Sequence, residues 1–309
     1  MLKKIIRAVV PKYSAGHVVL ILLQSLIRYP GRFSYRFNYA NWKLYRKCSA
    51  QVMTCPVCEH RGQMFFDMPD RRLREDHGIG ILRETLSCHG CGSTMRHRTL
   101  TLGLLKAVKE RSGIEFRSIQ QLADAEWNFT IWDTDSFSPM AQRLRRNKSY
   151  VRSEFVPSQS FGTELEVGIF NIDLQNVSFG DGSFDYVLSS DVMEHVPDDQ
   201  TAHREIHRCL KKGGSYVFTV PFEDSAARNR ILVSMRNGKE TFLEAPHYHG
   251  DPLTGQILAY RIYGQELLAD LDALGFETRF LNIERADNGV FAGDVFVACK
   301  ITDVSKGHQ

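Results

Sequence analysis

No aspartate or glutamate occurs in residues 1–50, which carry ten basic residues: Lys3, Lys4, Arg7, Lys12, Arg28, Arg32, Arg36, Lys43, Arg46 and Lys47. The whole 309-residue chain is only +3, so everything after Ala50 is mildly acidic. That balance disfavours a nucleic-acid partner for the main body of the chain. It leaves the arm free to meet an anionic surface or to be a solvated tail. A membrane-spanning run is missing as well: the apolar stretch at residues 17–27 falls short of the about 20 residues a bilayer requires. With basic residues before it, the stretch could be a signal peptide, an ordinary helix or a segment lying in a membrane interface. Gln24-Ser25-Leu26 offers little of a small-residue cleavage site. Internal repeats and long low-complexity tracts are absent.

An even cysteine count is lacking too, and the seven present do not fit a pure disulfide framework. Four of them form two C-x-x-C pairs, Cys55-Pro56-Val57-Cys58 and Cys88-His89-Gly90-Cys91, separated by 29 residues. Each pair can turn two thiolates toward one ion, and two pairs complete a tetrahedral site of the closed, structural zinc type. The spacing therefore predicts Zn2+ on Cys55, Cys58, Cys88 and Cys91, with a folding role rather than a chemical one. Such cysteines suit a reducing compartment, hence a cytoplasmic location with membrane association through the arm left open. Cys48, Cys209 and Cys299 read as ordinary thiols, and His60, His89 and His97 as surface histidines. Arg96 and Arg98 follow the second pair; they could hold an anionic group, but solvated charges are the commoner outcome. Apolar residues from Leu100 to Val108 then predict a helix running to about Glu110.

From residue 128 short apolar runs alternate with helical patterns. Strands are expected at 129–132, 149–153, 167–172, 184–190, 215–220, 276–283 and 290–299, and helices at 139–146, 198–210 and 265–274. Gly213 and Gly214 are expected to cap the second of these helices. The pattern predicts an α/β fold: a Rossmann-like, doubly wound, mostly parallel seven-stranded sheet preceded by a small zinc-binding module. The boundaries are a basic arm (1–50), the module with its linking helix (51–112) and the main domain (113–303). Residues 221–263 form an insert longer than an ordinary connection, expected to act as a substrate lid.

Phe184-Asp185-Tyr186-Val187-Leu188-Ser189-Ser190-Asp191-Val192-Met193-Glu194-His195-Val196-Pro197-Asp198 resembles the fourth-strand region of class I S-adenosylmethionine-dependent methyltransferases. The stretch from Glu205 to Gly214 is similar to their approach to the fifth strand. The cysteine pairs, the Gly-Ser-x-x-Arg-x-Arg segment at 92–98 and His249-Gly250-Asp251-Pro252 further resemble a bacterial subgroup with a cysteine-rich N-terminal module. The resemblance covers roughly residues 129–300 and implies S-adenosylmethionine as cofactor. It implies Asp133 or Asp135 at the methionine ammonium and Glu154 at the ribose hydroxyls. Asp173 would stand at adenine's amino group with Leu174 or Phe155 against the ring, and Ser190 and Asp191 beside the sulfonium. The family's glycines after the first strand are missing here, since the loop reads Asp133-Thr134-Asp135-Ser136-Phe137-Ser138.

Methyl transfer to oxygen benefits from a base near neutral pH, and histidine is the natural candidate. His195 follows the fourth strand, where Glu194 and His195 could also simply start a helix, while His249 with Asp251 in the insert could make an oriented pair. His247, His249 and Asp251 could alternatively bind a metal, or be satisfied loop residues. These features predict methyl transfer to a small-molecule or glycan acceptor. A non-catalytic binding module is the alternative, motivated by the glycine-poor loop, and an RNA methyltransferase is the third reading.

Overall fold

The strand expected at 184–190 is buried at every position, so two layers must cover it. Tyr186 and Leu188 belong to one core cluster and Val187 to the other, as a period of two requires when both faces of a sheet are dry. This computed structural model describes residues 52–62, 65–66, 83–84, 86–236, 238–251 and 255–302. The basic arm with its apolar stretch, Cys48, residues 252–254 and the side chain of Asp251 lie outside the described residues. Among the described residues no helix is long and apolar enough to cross a membrane.

Two antiparallel strand pairs come first, β1 (Met53–Thr54) with β2 (Arg61–Gly62) and β3 (Phe65–Phe66) with β4 (Leu86–Ser87). Helix α1 (Met95–Ser112) starts in a capping box formed by Thr94 and His97 and ends at Gly113, which takes a left-handed conformation. Helix α2 (Ile119–Asp124) leads to β5 (Ile131–Asp133), and α3 (Ala141–Leu144) to β6 (Tyr150–Glu154). Strands β7 (Glu164–Glu166), β8 (Ile169–Asn171) and β9 (Phe184–Ser190) follow. A single 3-10 turn (Met193–His195) and α4 (Asp199–Cys209) connect to β10 (Leu210–Thr219). The insert holds β11 (Arg230–Ile231), β12 (Val233–Arg236), β13 (Lys239–Phe242), β14 (His247–Asp251), β15 (Gly255–Ala259) and β16 (Arg261–Ile262). Helix α5 (Glu266–Ala273) and the hairpin of β17 (Phe276–Arg285) and β18 (Val290–Lys300) complete the fold.

The central sheet runs β17-β18-β10-β9-β5-β6-β8-β7. The five strands from β10 to β8 are mutually parallel, while β18 and β7 are antiparallel to their neighbours. All seven expected strands are present in this Rossmann-like arrangement. The eighth, β7, is a three-residue edge strand with only its middle residue partly covered, too short and polar to announce itself. One expectation fails: residues 211–214 do not cap a helix. Helix α4 ends at Leu210, and the following residues form an irregular entry to β10 with a register shift between Leu210 and Ser215. Gly214 is needed there because a Cβ would stand 2.8 Å from Lys211 O and 2.9 Å from Asp185 O.

Helix α1 belongs to the sheet's own core. Leu100, Leu104 and Val108 share a buried cluster with Ile131, Val217 and Val295, and also with Cys55 and Cys88 of the cysteine turns. Gly103 lets the helix approach closely, since a Cβ would meet Val295 Cγ2 at 2.9 Å. The other face is covered by α4 and α5, with Ile206, Leu267 and Leu271 packed against Trp132, Phe218 and Phe296. The insert is a set of antiparallel hairpins, β12 with β13 and β14 with β15, while β11 pairs with β16.

Candidate active site

The strand order reverses between β5 and β9, with β6 beyond one and β10 beyond the other. Ligands of such sheets bind outside the carboxyl ends of the strands at this switch point. Four acids stand at or just past the carboxyl ends of β5, β6, β8 and β9: Asp133, Glu154, Asp173 and Asp191. Their environments differ. Asp133 is 1% exposed; its Oδ2 accepts from Tyr150 Oη at 2.5 Å and its Oδ1 from Asp135 N at 3.0 Å. Burial, with the charge of Asp135 adding, pushes its carboxyl well above the ordinary carboxylate range. Asp135 is more open, and its Oδ1 accepts from Phe137 N and Ser138 N at 2.9 and 3.1 Å, shaping the glycine-free loop as an Asx turn.

Glu154 joins that loop to β6: its Oε1 accepts from Ser136 N at 3.0 Å and from the Ser136 hydroxyl. Phe155, next along, is 53% exposed and stacks on Phe161 with ring centroids 5.5 Å apart. A half-buried carboxylate beside an open pair of aromatic faces has the acceptor and stacking chemistry that a nucleoside requires. Asp173 shapes its own loop, with Oδ1 accepting from Gln175 N at 2.9 Å, and Leu174 is buried.

Ser190 and Asp191 are met by the N-terminal module. Asp191 has φ +54°, an unusual conformation for a non-glycine residue. Arg83 makes a two-pronged ion pair with its carboxylate, one contact being Nη2 to Oδ1 at 2.6 Å, and Thr219 Oγ1 donates at 2.9 Å. Arg96 Nη1 donates to Ser190 Oγ at 2.6 Å, while its Nε and Nη2 hold Glu84 at 2.7 and 3.1 Å. Burial alone would raise the Asp191 carboxyl, but Arg83 and Arg96 hold it well below the ordinary range. Arg83 and Glu84 were invisible as site residues in the sequence, because the pairing spans 108 positions. Arg98 has a different task from Arg96. It is fully buried and donates to the carbonyls of Ser93, Leu86 and Gly289. His97 closes the α1 cap by accepting from Thr94 N at 3.1 Å, where a surface histidine was expected. Burial and then Arg96 push its pKa down to about 3.

His195 and His249 meet across the turn after β9 and the β14–β15 hairpin. Their Nε2 and Nδ1 atoms are 3.2 Å apart, and His195 Nδ1 lies 2.8 Å from Leu258 O. Glu194, read from sequence as the structural start of a helix, has a fully buried carboxylate with Oε1 3.7 Å from both imidazoles. Burial raises its pKa well above the carboxylate range. Asp251 shares strand β14 with His247 and His249.

The two cysteine turns bring Cys55 Sγ to 3.8 Å from Cys91 Sγ and Cys58 Sγ to 3.7 Å from Cys88 Sγ, and all four sulfurs lie within 4.8 Å of one another. A tetrahedral zinc with bonds of about 2.3 Å puts its sulfurs roughly 3.8 Å apart, so the residues fit the ion. Ser93 Oγ lies 3.3 Å from both Cys55 and Cys91, and Gly90 N donates to Cys88 Sγ at 3.3 Å. Hydrogen bonds from Cys58, Cys88 and Cys91 hold the Cys55 thiol well below its ordinary value.

Residues 117–218 match the family model of a methyltransferase domain. A stretch of 62 residues is 34% identical to the sarcosine/dimethylglycine N-methyltransferase of Halorhodospira halochloris, covering 20% of this chain and 22% of that protein. A stretch of 42 residues is 43% identical to phosphoethanolamine N-methyltransferase 2 of Caenorhabditis elegans, covering 14% of this chain and 10% of that one. The chain thus spans about a fifth or less of these relatives. Among solved structures, an S-adenosylmethionine-dependent methyltransferase of Mesorhizobium loti is 16% identical, covering 56% of this chain and 90% of its own, with a TM-score of 0.36. The 1,6-didemethyltoxoflavin-N1-methyltransferase of Burkholderia thailandensis, with bound 1,6-didemethyltoxoflavin and S-adenosylhomocysteine, is 17% identical over 64% of this chain and 80% of its own, with a TM-score of 0.36.

Proposed function

We propose that the protein transfers a methyl group from S-adenosylmethionine to the oxygen of a small-molecule or glycan acceptor. The observation that carries this reading is Glu154. It ends β6 beside the switch point, tied to the loop after β5 through Ser136, inside the segment that matches the methyltransferase-domain model. When bound, S-adenosylmethionine would supply an electrophilic methyl on sulfur. Glu154 would accept the two ribose hydroxyls, and the exposed faces of Phe155 and Phe161 would pack on the adenine, with Asp173 and Leu174 bordering it. Asp135, with its carboxylate nearer solvent than that of Asp133, is the better receiver for the methionine ammonium. Ser190 and Asp191, fixed by Arg96 and Arg83, would lie beside the sulfonium. Zinc on the four cysteines belongs to the same proposal, as the ion that holds the module carrying these arginines in shape.

His195 and His249 line the approach from the insert and would manage the ionisation of the acceptor hydroxyl, with Asp251 on the same hairpin. Holding acceptor and methyl in line supplies much of the acceleration in such a displacement. A nitrogen acceptor is the second reading, favoured because both matched relatives are N-methyltransferases. Calorimetry with zinc-replete protein tests the cofactor. Binding should be measurable, and Glu154→Ala should weaken it by roughly 1.5–3 kcal/mol, as for a lost charged hydrogen-bond pair. No binding at millimolar cofactor would sink the enzyme reading, and unchanged affinity in the variant would move the ribose contact elsewhere.

A further inference from the structure

Glu194 carries a buried carboxyl that the rest of the described structure leaves unsatisfied. Its side chain is 0% exposed, and among the described residues neither carboxylate oxygen has a hydrogen-bond partner from another residue. The nearby arginines do not rescue it: Arg83 is spent on Asp191 and Glu84, and Arg96 on Glu84 and Ser190. Among the described residues the basic groups within 4.0 Å of its carboxylate are the imidazoles of His195 and His249 alone. A buried carboxylate with no donor is expensive unless a cation or a proton neutralises it.

The geometry around it has the dimensions of a coordination face. Glu194 Oε1, His195 Nε2 and His249 Nδ1 form a triangle with edges of 3.2, 3.7 and 3.7 Å. Three ligands bound at about 2.1 Å to a tetrahedral or octahedral ion stand roughly 3.0–3.4 Å apart, so a small inward shift of the carboxylate closes the set. The histidine between them is already oriented. Leu258 O can only accept, so His195 Nδ1 at 2.8 Å donates to it and leaves the Nε2 lone pair aimed at the triangle. A backbone carbonyl behind a ligating imidazole is the usual outer support of a metal site. A direct hydrogen bond between the two imidazoles would satisfy both rings but leave Glu194 without a partner. A cation satisfies all three residues together.

We propose that Glu194, His195 and His249 bind a first-row divalent transition ion such as Zn2+, in a second site separate from the four cysteines. Two imidazoles and one carboxylate select such ions over Mg2+ and Ca2+, which take oxygen sets. Three protein ligands leave a coordination position for an outside oxygen or nitrogen donor, unlike the closed four-thiolate set. The ion would also fasten the β14–β15 hairpin to the turn after β9, a junction where His195 Nδ1 donates to Leu258 O at 2.8 Å and Tyr260 N, just past β15, donates to Glu194 O at 2.7 Å. Binding of the ion does not depend on the proposed methyl transfer.

The test uses the full chain, first loaded with one equivalent of Zn2+ and then titrated with Co2+. The expected result is a second equivalent bound, giving the weak visible bands of a nitrogen–oxygen site without sulfur-to-cobalt charge transfer. His249→Ala and Glu194→Gln should each weaken this second event by at least about tenfold, the lower end of what loss of even an outer support costs. His249→Ala decides the matter if Glu194→Gln does not fold, because His249 is 41% exposed on a hairpin. A total of one ion per chain, or a second ion bound equally well by His249→Ala, overturns the proposal. Calorimetry with S-adenosylmethionine on the same samples reads the cofactor site independently, so failure of one reading is distinguishable from failure of the other.

Discussion

The four thiols of Cys55, Cys58, Cys88 and Cys91 come from two turns of one small module, whereas Glu194, His195 and His249 are gathered from a strand end and a hairpin 54 residues further on. The first set is part of a continuous core: Cys55 and Cys88 are 0% exposed and share a cluster with Leu104 and Val295. The second joins the sheet to an insert whose β13 is exposed throughout. Four thiolates close a coordination sphere, while two imidazoles and a carboxylate leave it open. The difference separates an ion that holds a fold from an ion that can meet a ligand. It also predicts how each cluster fails.

The largest effect should come from Cys55→Ser. Structural zinc contributes on the order of 10 kcal/mol to small zinc modules, so this variant should lose the metal and melt far below the wild type in a thermal scan. A stable, metal-free protein would break the comparison at its first term. Arg98→Met should cost about 3–5 kcal/mol in urea unfolding, because it removes a buried cation and strips the donor from three buried carbonyls.

Acid should act through a histidine outside both clusters. His203 is 0% exposed, both its ring nitrogens lack hydrogen-bond partners among the described residues, and burial followed by Arg261 pushes its pKa down to about 3. A histidine depressed in the folded state stabilises the fold above its unfolded pKa of about 6.5, and that stability is lost as pH falls toward 3. His203→Phe should therefore remove about 1.4 kcal/mol per pH unit from the slope of stability between pH 6.5 and 4; His97, also lowered to about 3, leaves a residual slope. An unaltered slope would show that His203 is not neutral and buried in solution. The smallest effect belongs to His249→Ala in protein lacking an ion at the second site. Its stability should stay within about 0.5 kcal/mol of wild type, in contrast to Cys55→Ser.

What the sequence disclosed follows from how local each signal is. The cysteine pairs were legible because each lies on a single turn, and strands β5, β9, β10 and β18 because their apolar runs are continuous. Glu154 could be singled out by its place after a strand. Strand β7 and the entry to β10 were not legible: one is polar at an edge, and the other depends on Gly214 passing close to two carbonyls. Arg83 and Glu84 gave no signal because their role is set by Asp191, over a hundred residues away. Glu194 was read as an ordinary helix start because only the return of the β14–β15 hairpin reveals that its carboxylate faces two imidazoles. Long-range polar assembly is the part that periodicity does not encode.

Arg98 bears on portability. One guanidinium grips the backbone beside the second cysteine pair and the carbonyl of Gly289 at the tip of the β17–β18 hairpin. The cysteine turns are thus keyed into the sheet and cannot be grafted or swapped as a cassette without a matching hairpin. Stripping the proposed zinc should accelerate hydrogen exchange at the amides of 289–291, almost two hundred residues along the chain.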